Sequence, residues 1–396
     1  MEATLLVCGL YTVNLGLHIV VPGRLVKGYV CSNDGTPLQY KLNGLVVFLL
    51  EVAGFWYLLT EDQRRVLFDN YGIVVATCNV LGLLASFYFV QFPQIKGGEE
   101  PYLRAITKDQ VDAKTGRLKR NAGITTVNSS LTKSRSWLLT FFLGRDFNPR
   151  IFGGVDVKMW LYLVGATGLG CNILSCLSAQ QHAWGGKTSL AMTVYTSAFG
   201  WFLVEYLFGE EIHLYTYDIF AEKIGFKLAW GCLVFYPTCY NIGAFPLAKA
   251  APGNDINSTQ AAGTILLFFT GWVLTRGANM QKFFFRTQPE SKTFLFGLVK
   301  QETIPGTRIL VSGWWGVSRH LNYFGEIVQA LALSLPGVLV GPPVYKWLAL
   351  LYPLYYVALF IPRQFDDDEL CAAKYGQDKW GEYKRRVPWR IVPFVW

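Results

Sequence analysis

The chain has 396 residues, of which 52% are hydrophobic and only 16% charged, against roughly a quarter charged in a soluble domain. That composition excludes a disordered chain, a collagen-like chain and an ordinary nucleic-acid module, and points to an integral membrane protein. The formal net charge of +9 therefore has to be read by position, because basic loops set orientation in a membrane.

A spanning helix takes about 20 mostly apolar residues. Nine stretches fit or nearly fit: 3–21, 42–60, 67–92, 157–178, 188–208, 226–248, 260–275, 321–341 and 343–361. The expectation is an all-α, polytopic membrane protein of about nine, from eight to ten, transmembrane helices. Stretch 3–21 lacks the basic leader and cleavage site of a signal peptide and reads as the first span. Residues 137–143 are a shorter apolar piece with the length of a re-entrant segment. Residues 96–134 read as a solvated polar insertion, with phospholipid contact by its basic residues as the alternative.

Basic residues test the parity of this count. Residues 94–136 hold nine Lys or Arg, 277–319 hold six and 363–396 hold seven. With nine spans all three regions fall on one face, which the positive-inside rule makes cytosolic. The N-terminus is then lumenal, with the loops near Gln63, Gln180 and Asn254. Arg64 and Arg65 run against the rule but are outweighed. The chain reads as one membrane domain over 1–396. It comprises N-terminal spans and the insertion (1–156), central spans (157–275) and a C-terminal half (276–396) expected to form a cytosolic cofactor pocket.

The eight cysteines include no CxxC pair and the four histidines have no metal-ligand spacing, so neither a disulfide framework nor a metal is expected. Gly165 to Gly170 imitate a nucleotide fingerprint, but inside an apolar span the better reading is close helix packing by small residues. Asn257-Ser258-Thr259 matches a glycosylation acceptor but hugs the next span.

Ionisable residues inside spans are costly and default to functional hypotheses; here they are Glu51, Asp69, Glu205 and Glu326. The segment 209–218 is dense in acids and phenols, offering a sheltered proton donor or only a solvated loop. Lys282 and Arg286 are four apart on one helix face and suit a phosphate-bearing ligand, or else snorkel to lipid headgroups. Trp314-Trp315, Arg319-His320 and Asn322-Tyr323 could stack on and hydrogen-bond a planar ring. With the tail residues, residue type alone supports a large charged cofactor at the membrane face.

Several ordered motifs carry a resemblance. They are PGRLVKGYVCSNDGTPLQYKLNG (22–44), GRDFNPRI (144–151), TYDIFAEKIGF (216–226), RGANMQKFFFR (276–286) and ILVSGWWGVSRHLNYFGE (309–326). The tail RQFDDDELCAAKYGQDKWGEYKRRVPWRIVPFVW (363–396) follows them. Together they resemble the sterol C14/C7/C24(28) reductase family over nearly the whole chain, closest to its C14 branch. The resemblance implies NADPH as hydride donor and a sterol substrate within the bilayer. By motif position it implies that Lys282, Arg286, Leu310, Trp315, Asn322, Tyr323, Arg363, Asp367, Cys371, Tyr375 and Tyr383 bind the cofactor. The chemistry requires a protein acid to protonate C15 before hydride reaches C14; the candidates are Glu211, Tyr217 and Asp218, with Glu205 in support. The implied membrane is the endoplasmic reticulum in a eukaryote, or the inner membrane in a bacterium. Membrane lipids are the other partners, and neither nucleic acid nor metal is expected.

Three departures from the family pattern stand out. Asp366 replaces an arginine, which puts NADPH preference in question. One extra residue precedes Trp380, which could shift Tyr383. Gly243 replaces a glutamine near the expected sterol pocket. The competing readings are C7 or C24(28) reduction, an S-adenosylmethionine-dependent membrane methyltransferase with a similar tail, and a non-catalytic sterol-binding protein.

Overall fold

A computed structural model describes residues 1–31, 36–95, 99–102, 125–128, 136–152, 154–288 and 290–396. The insertion expected at 96–134 lies mostly outside the described residues. In chain order the helices are α1 (Glu2–Val20), α2 (Gly44–Leu58), α3 (Glu61–Asp69), α4 (Tyr71–Gln91), α5 (Trp137–Leu143), α6 (Val157–Ala183), α7 (Leu190–Phe208), α8 (Glu210–His213), α9 (Tyr217–Phe220), α10 (Phe226–Trp230), α11 (Ala244–Ala248), α12 (Ser258–Thr287), α13 (Trp314–Val317), α14 (Leu321–Val340), α15 (Leu351–Tyr375) and α16 (Gln377–Arg386). The strands are short. β1 (Arg24–Cys31) and β2 (Pro37–Leu42) form an antiparallel hairpin, and β1 also pairs in parallel with β4 (Thr125–Asn128), whose other neighbour is β3 (Glu99–Tyr102). β5 (Arg150–Ile151) pairs with β6 (Val155–Asp156), and β7 (Thr293–Phe294) with β8 (Val299–Lys300).

The helical, polytopic expectation holds, but fewer than nine stretches form regular helices long and apolar enough to span. Among the described residues six helices are long and apolar enough to cross a membrane: α1, α4, α6, α12, α14 and the 30-residue run Lys346–Tyr375. Counting α2 with α3, which bend by 112° at their junction, gives seven. The two further stretches fall short for local reasons. α7 dilutes its apolar residues with Glu205 and several Thr, Ser and Tyr. Residues 226–248 break into α10, a π-helical stretch Gly231–Cys239 containing Pro237, a 3₁₀ turn Tyr240–Gly243 and α11. Proline removes a backbone donor, so the ladder there cannot stay regular.

Contacts nevertheless bring the segment ends together in two groups. On one side Arg24 meets Glu211, Gln94 meets Asp146, and Lys374 meets Tyr29. On the other Glu61 meets His182, Asp255 meets the start of α7, and Asn254 meets Val340. This is the alternation the basic loops imply. The 226–248 stretch thus connects the two ends although it is not a regular span.

Small residues let the helices approach. A Cβ on Gly165 would lie 2.6 Å from Tyr236 and one on Gly168 2.8 Å from Pro237, so this run packs helices, as expected. α12 and α14 cross where Gly271 and Gly325 leave room for each other's backbone. Asn257 caps α12, its side chain accepting from the Gln260 N–H while Gln260 reaches back to the Asn257 N–H. Gly243 corrects an expectation. It lines neither large cavity and packs against α14, where the carbonyl of Gly243 would lie 2.7 Å from a Cβ on Gly337.

Candidate functional site

The basic end of the helices encloses a deep cavity. Its walls are the end of α7, the turns α8 and α9, the part of α12 from Trp272 onward, the segment 308–323, and the polar half of α15 with α16. It holds about 1680 Å³ of space counted to its open mouth, more than the few hundred to about 1,000 Å³ of a single small-ligand pocket. All eleven residues expected to bind a cofactor line it. Of the four acid candidates, Glu205, Tyr217 and Asp218 line it and Glu211 does not. The Glu211 carboxylate turns out to the β1–β2 hairpin and pairs with Arg24 at 2.6 Å. In the Glu210-Glu211 pair the buried member is Glu210, which accepts the Gly44 N–H at 3.0 Å. The cavity is not the work of the C-terminal half alone, since Tyr162, Phe202, Tyr206 and residues 212–220 form part of its wall.

The mouth side is cationic. Lys282 Nζ lies 5.1 Å from the Trp315 ring centre, and the Arg286 guanidinium 4.5 Å from that of Tyr29. Lys374 Nζ donates to the Tyr29 hydroxyl at 3.0 Å. Burial alone would raise the Tyr29 phenol, but Lys374, Arg286 and Arg308 outweigh it and bring its pKa down to about 7. The N-terminal hairpin thus holds two cations in place at the edge of the cavity. Deeper in, Tyr323 donates to Asp367 at 2.6 Å, and Trp315 Nε1 donates to the Ala278 carbonyl. Tyr383 donates to the Trp315 carbonyl at 3.1 Å, so the extra residue before Trp380 does not displace it. Asp366 is exposed and absent from the cavity wall, with Asp367 and Cys371 facing inward instead.

Several wall atoms have no partner although buried: Arg276 Nη1, His320 Nε2, Asn322 Oδ1, Glu326 Oε2, Gln329 Nε2, Arg363 Nε and Trp380 Nε1. A buried polar group left unpaired costs about 1–3 kcal/mol. A wall carrying seven of them beside a cationic mouth fits a polar, polyanionic guest. Burial pushes the His320 imidazole down to about 3, so it is neutral. His213 is likewise held at about 3 by burial, its Nε2–H donating to the Tyr206 carbonyl at 3.0 Å.

A second cavity of about 850 Å³ adjoins the first. Its own lining combines apolar and phenolic groups, Leu228, Cys232, Tyr236, Tyr240, Tyr355, Tyr356 and Leu359, with the ion pair of Lys227 and Glu222. The two share Tyr162, Phe202, Tyr206, Asp218, Glu326, Phe360 and Arg363. The charged groups at this junction are tightly tied. Arg363 reaches Asp218 at 2.8 Å and Glu222 at 3.4 Å, and Lys227 meets Glu222 at 2.6 Å. Glu205 takes a two-pronged contact from Arg276. Sequence reasoning missed Tyr162 and Tyr206, because a tyrosine in a span looks like any other large apolar residue. Glu326 was flagged only as an intramembrane acid, and Arg276 and His320 only as members of their motifs.

Glu210 provides a test of the local electrostatics. Burial lifts its pKa from 4.5 to about 7, with the Gly44 N–H pulling the other way. A carboxyl raised in the folded chain favours folding below its unfolded pKa, and that contribution is lost as pH rises through about 7. Glu210→Gln keeps an acceptor for Gly44 and removes the titration. The wild type should lose about 2–3 kcal/mol of stability between about pH 5 and pH 8 that the variant keeps. Apparent melting temperature in detergent against pH measures it; parallel curves for the two proteins would refute the assignment.

Comparison with known proteins adds an independent observation. The pattern of the ergosterol biosynthesis ERG4/ERG24 family matches residues 2–396. The chain belongs to this family. Its curated members include the Delta(14)-sterol reductase of Methylotuvimicrobium alcaliphilum, 31% identical over 384 residues that cover 96% of this chain and 80% of the relative. The Delta(14)-sterol reductase of Arabidopsis thaliana is 31% identical over 384 residues, 95% of this chain and 91% of its own. The mouse Delta(14)-sterol reductase TM7SF2 is 37% identical over a shorter 257 residues, 65% of this chain and 59% of its own.

Proposed function

We propose that this family member reduces a ring double bond of a sterol, the C14–C15 bond, with NADPH as reductant. The observation that carries the reading is the pair of adjoining cavities that share a charged junction, one with a cationic mouth and unpaired polar wall atoms, the other walled by tyrosines and aliphatic side chains around the Lys227–Glu222 pair. A dinucleotide belongs in the first and a sterol in the second. The names of the relatives support the choice of bond.

Lys282 and Arg286, with Lys374 behind them, would hold phosphates. Asn322, Tyr323 and His320 present the unpaired or polar groups suited to the ring end of the cofactor. When bound, NADPH supplies the hydride that completes the reduction at C14. The chain's own task is to deliver a proton to C15 and to shelter the resulting cation. Tyr217 is the donor in this reading, since its phenol lines the first cavity next to Asp218, with the Arg363 guanidinium 5.1 Å from its ring centre. Asp218, held by Arg363, supplies negative charge next to the developing cation. Glu205, tied to Arg276, shapes the wall beside them. The basic end is cytosolic in this reading, where NADPH is available.

The test is turnover of the reconstituted protein with NADPH and, in parallel, 8,14-dienol, 5,7-dienol and 24(28)-methylene sterols, with products read by mass spectrometry. Loss of the 14-ene alone is expected; loss of only another double bond would overturn the choice of bond. Replacing Lys282 or Arg286 with Met should raise the KM for NADPH by about 10- to 100-fold, equivalent to about 1.4–2.7 kcal/mol, as expected for a charge-assisted phosphate contact. The effect on kcat should be smaller. Equal KM values in variant and wild type would remove the residue from the phosphate site.

A further inference from the structure

The hairpin β7–β8 carries a feature that no catalytic role explains. Its tip is Leu295-Phe296-Gly297-Leu298, and Phe296 is 100% exposed and Leu298 80%. Leu295 and Phe296 both adopt the left-handed conformation, with φ of 52° and 54°. Turns of this kind favour Asn or Gly, because a side chain there is strained. A solvated turn would gain from a polar residue, yet this one presents two large apolar side chains at a strained position.

The surroundings indicate what covers the tip. β7 is fixed by Phe294, whose ring packs 6.0 Å from Trp314. Trp314 lies over Gly277 on the outer side of α12 and donates its indole N–H to the Val273 carbonyl at 3.0 Å. That side of α12 is the bare one, with Leu266 71% exposed and Val273 47%. α12 has 30 residues, a length of about 45 Å at 1.5 Å per residue, so it outruns a hydrocarbon core of about 30 Å. Counted from Ser258, the core ends near Gly277, and Trp314 sits at the level where tryptophans line a membrane interface. The hairpin is thus anchored on the lipid-facing flank of a span, at headgroup depth. Lys292, just before β7, and Lys300, the last residue of β8, are both exposed and complement anionic headgroups.

We infer that the β7–β8 hairpin is a membrane-surface anchor: Leu295, Phe296 and Leu298 insert into the interfacial layer of the bilayer while Lys292 and Lys300 contact lipid phosphates. The anchor is linked to the cavity wall. Ser312 Oγ donates to the Lys300 carbonyl at 2.6 Å and accepts from the Glu302 N–H. Gln281 of α12 bonds both the Ser312 carbonyl and the Trp314 N–H. A hairpin seated in lipid therefore steadies the 310–315 strip.

Photo-crosslinking tests the anchor. A benzoylphenylalanine placed at position 296 of the full chain, and at exposed position 384 on α16 as control, is irradiated in vesicles of phosphatidylcholine with or without phosphatidylglycerol. A lipid-mass adduct at 296 and none at 384 is expected. The yield at 296 should rise with the anionic lipid, by on the order of fivefold per lysine engaged. Lys292→Ala with Lys300→Ala should abolish that rise. No lipid adduct at 296, or an adduct to a second copy of the chain or another protein in its place, would overturn the inference. Because the readout is the adduct, it stands apart from whether the protein reduces a sterol.

Discussion

Arg363→Leu is expected to lower stability by about 3–5 kcal/mol, the usual result of stripping one partner from a buried ion cluster. The guanidinium sits where the two cavities meet and is shared between Asp218 and Glu222. It also lies 5.1 Å from the Tyr217 ring centre. Removing it leaves Asp218 facing Tyr162, Tyr206 and Glu326 with no counter-charge at the junction. Glu222 suffers less, because Lys227 still meets it at 2.6 Å. The double variant Arg363→Leu with Asp218→Asn should recover part of the lost stability, since the stranded charge is gone. It should not recover turnover if the charged junction serves the reaction. Melting of the four proteins of the cycle in detergent decides the matter. Additive losses would mean that Arg363 and Asp218 act independently, and the shared junction would then not be a unit.

Much of this arrangement was legible in the sequence, for a physical reason. The side chains that face the cavity sit in runs of polar and aromatic residues that no bilayer would tolerate at random, and Lys282 and Arg286 share one helix face by spacing alone. All eleven expected cofactor residues line one cavity. The failures lie where sequence distance hides spatial choice. Of two adjacent acids, Glu210 turns inward to cap the start of α2 and Glu211 outward to Arg24. A pair of glutamates gives no hint which will turn in. The regularity of the spans was hidden in a related way. Stretch 226–248 has the composition of a span, but Pro237 and the glycines at 231 and 243 break its ladder. Composition measures apolarity, and it does not register whether the backbone stays regular. Asp366 shows the reverse. Its replacement of an arginine looked consequential, but on α15 it faces out while Asp367 faces in.

The hairpin β1–β2 was recognised as a motif without a task, and the structure supplies one. Tyr29 joins Arg286 of α12 to Lys374 of α15. These elements are far apart in sequence, so their meeting is a tertiary fact that no local pattern encodes. The same holds for the wall between the cavities, where Tyr162 and Tyr206 come from α6 and α7, Glu326 from α14 and Arg363 from α15.

Tyr217→Phe should cut kcat by about 10²- to 10⁴-fold, the range for losing a positioned general acid, with NADPH affinity retained. Removing one hydroxyl leaves the ring contacts with Phe220 and Arg363 in place, so the fold should be indifferent to the change. A loss of folding and a loss of proton transfer can therefore be told apart by melting temperature. The pH dependence sharpens the test. Burial and the Glu222 carboxylate hold the phenol above its usual range, so the donor stays protonated and the wild-type rate should show no alkaline fall from Tyr217 near neutral pH. Asp218→Asn in the same background should reduce kcat further through loss of the charge beside the cation. If Tyr217→Phe turns over at the wild-type rate, the donor lies instead among the acids of the junction between the cavities. Glu326, which lines both cavities and leaves Oε2 unpartnered, then becomes the residue to replace with Gln.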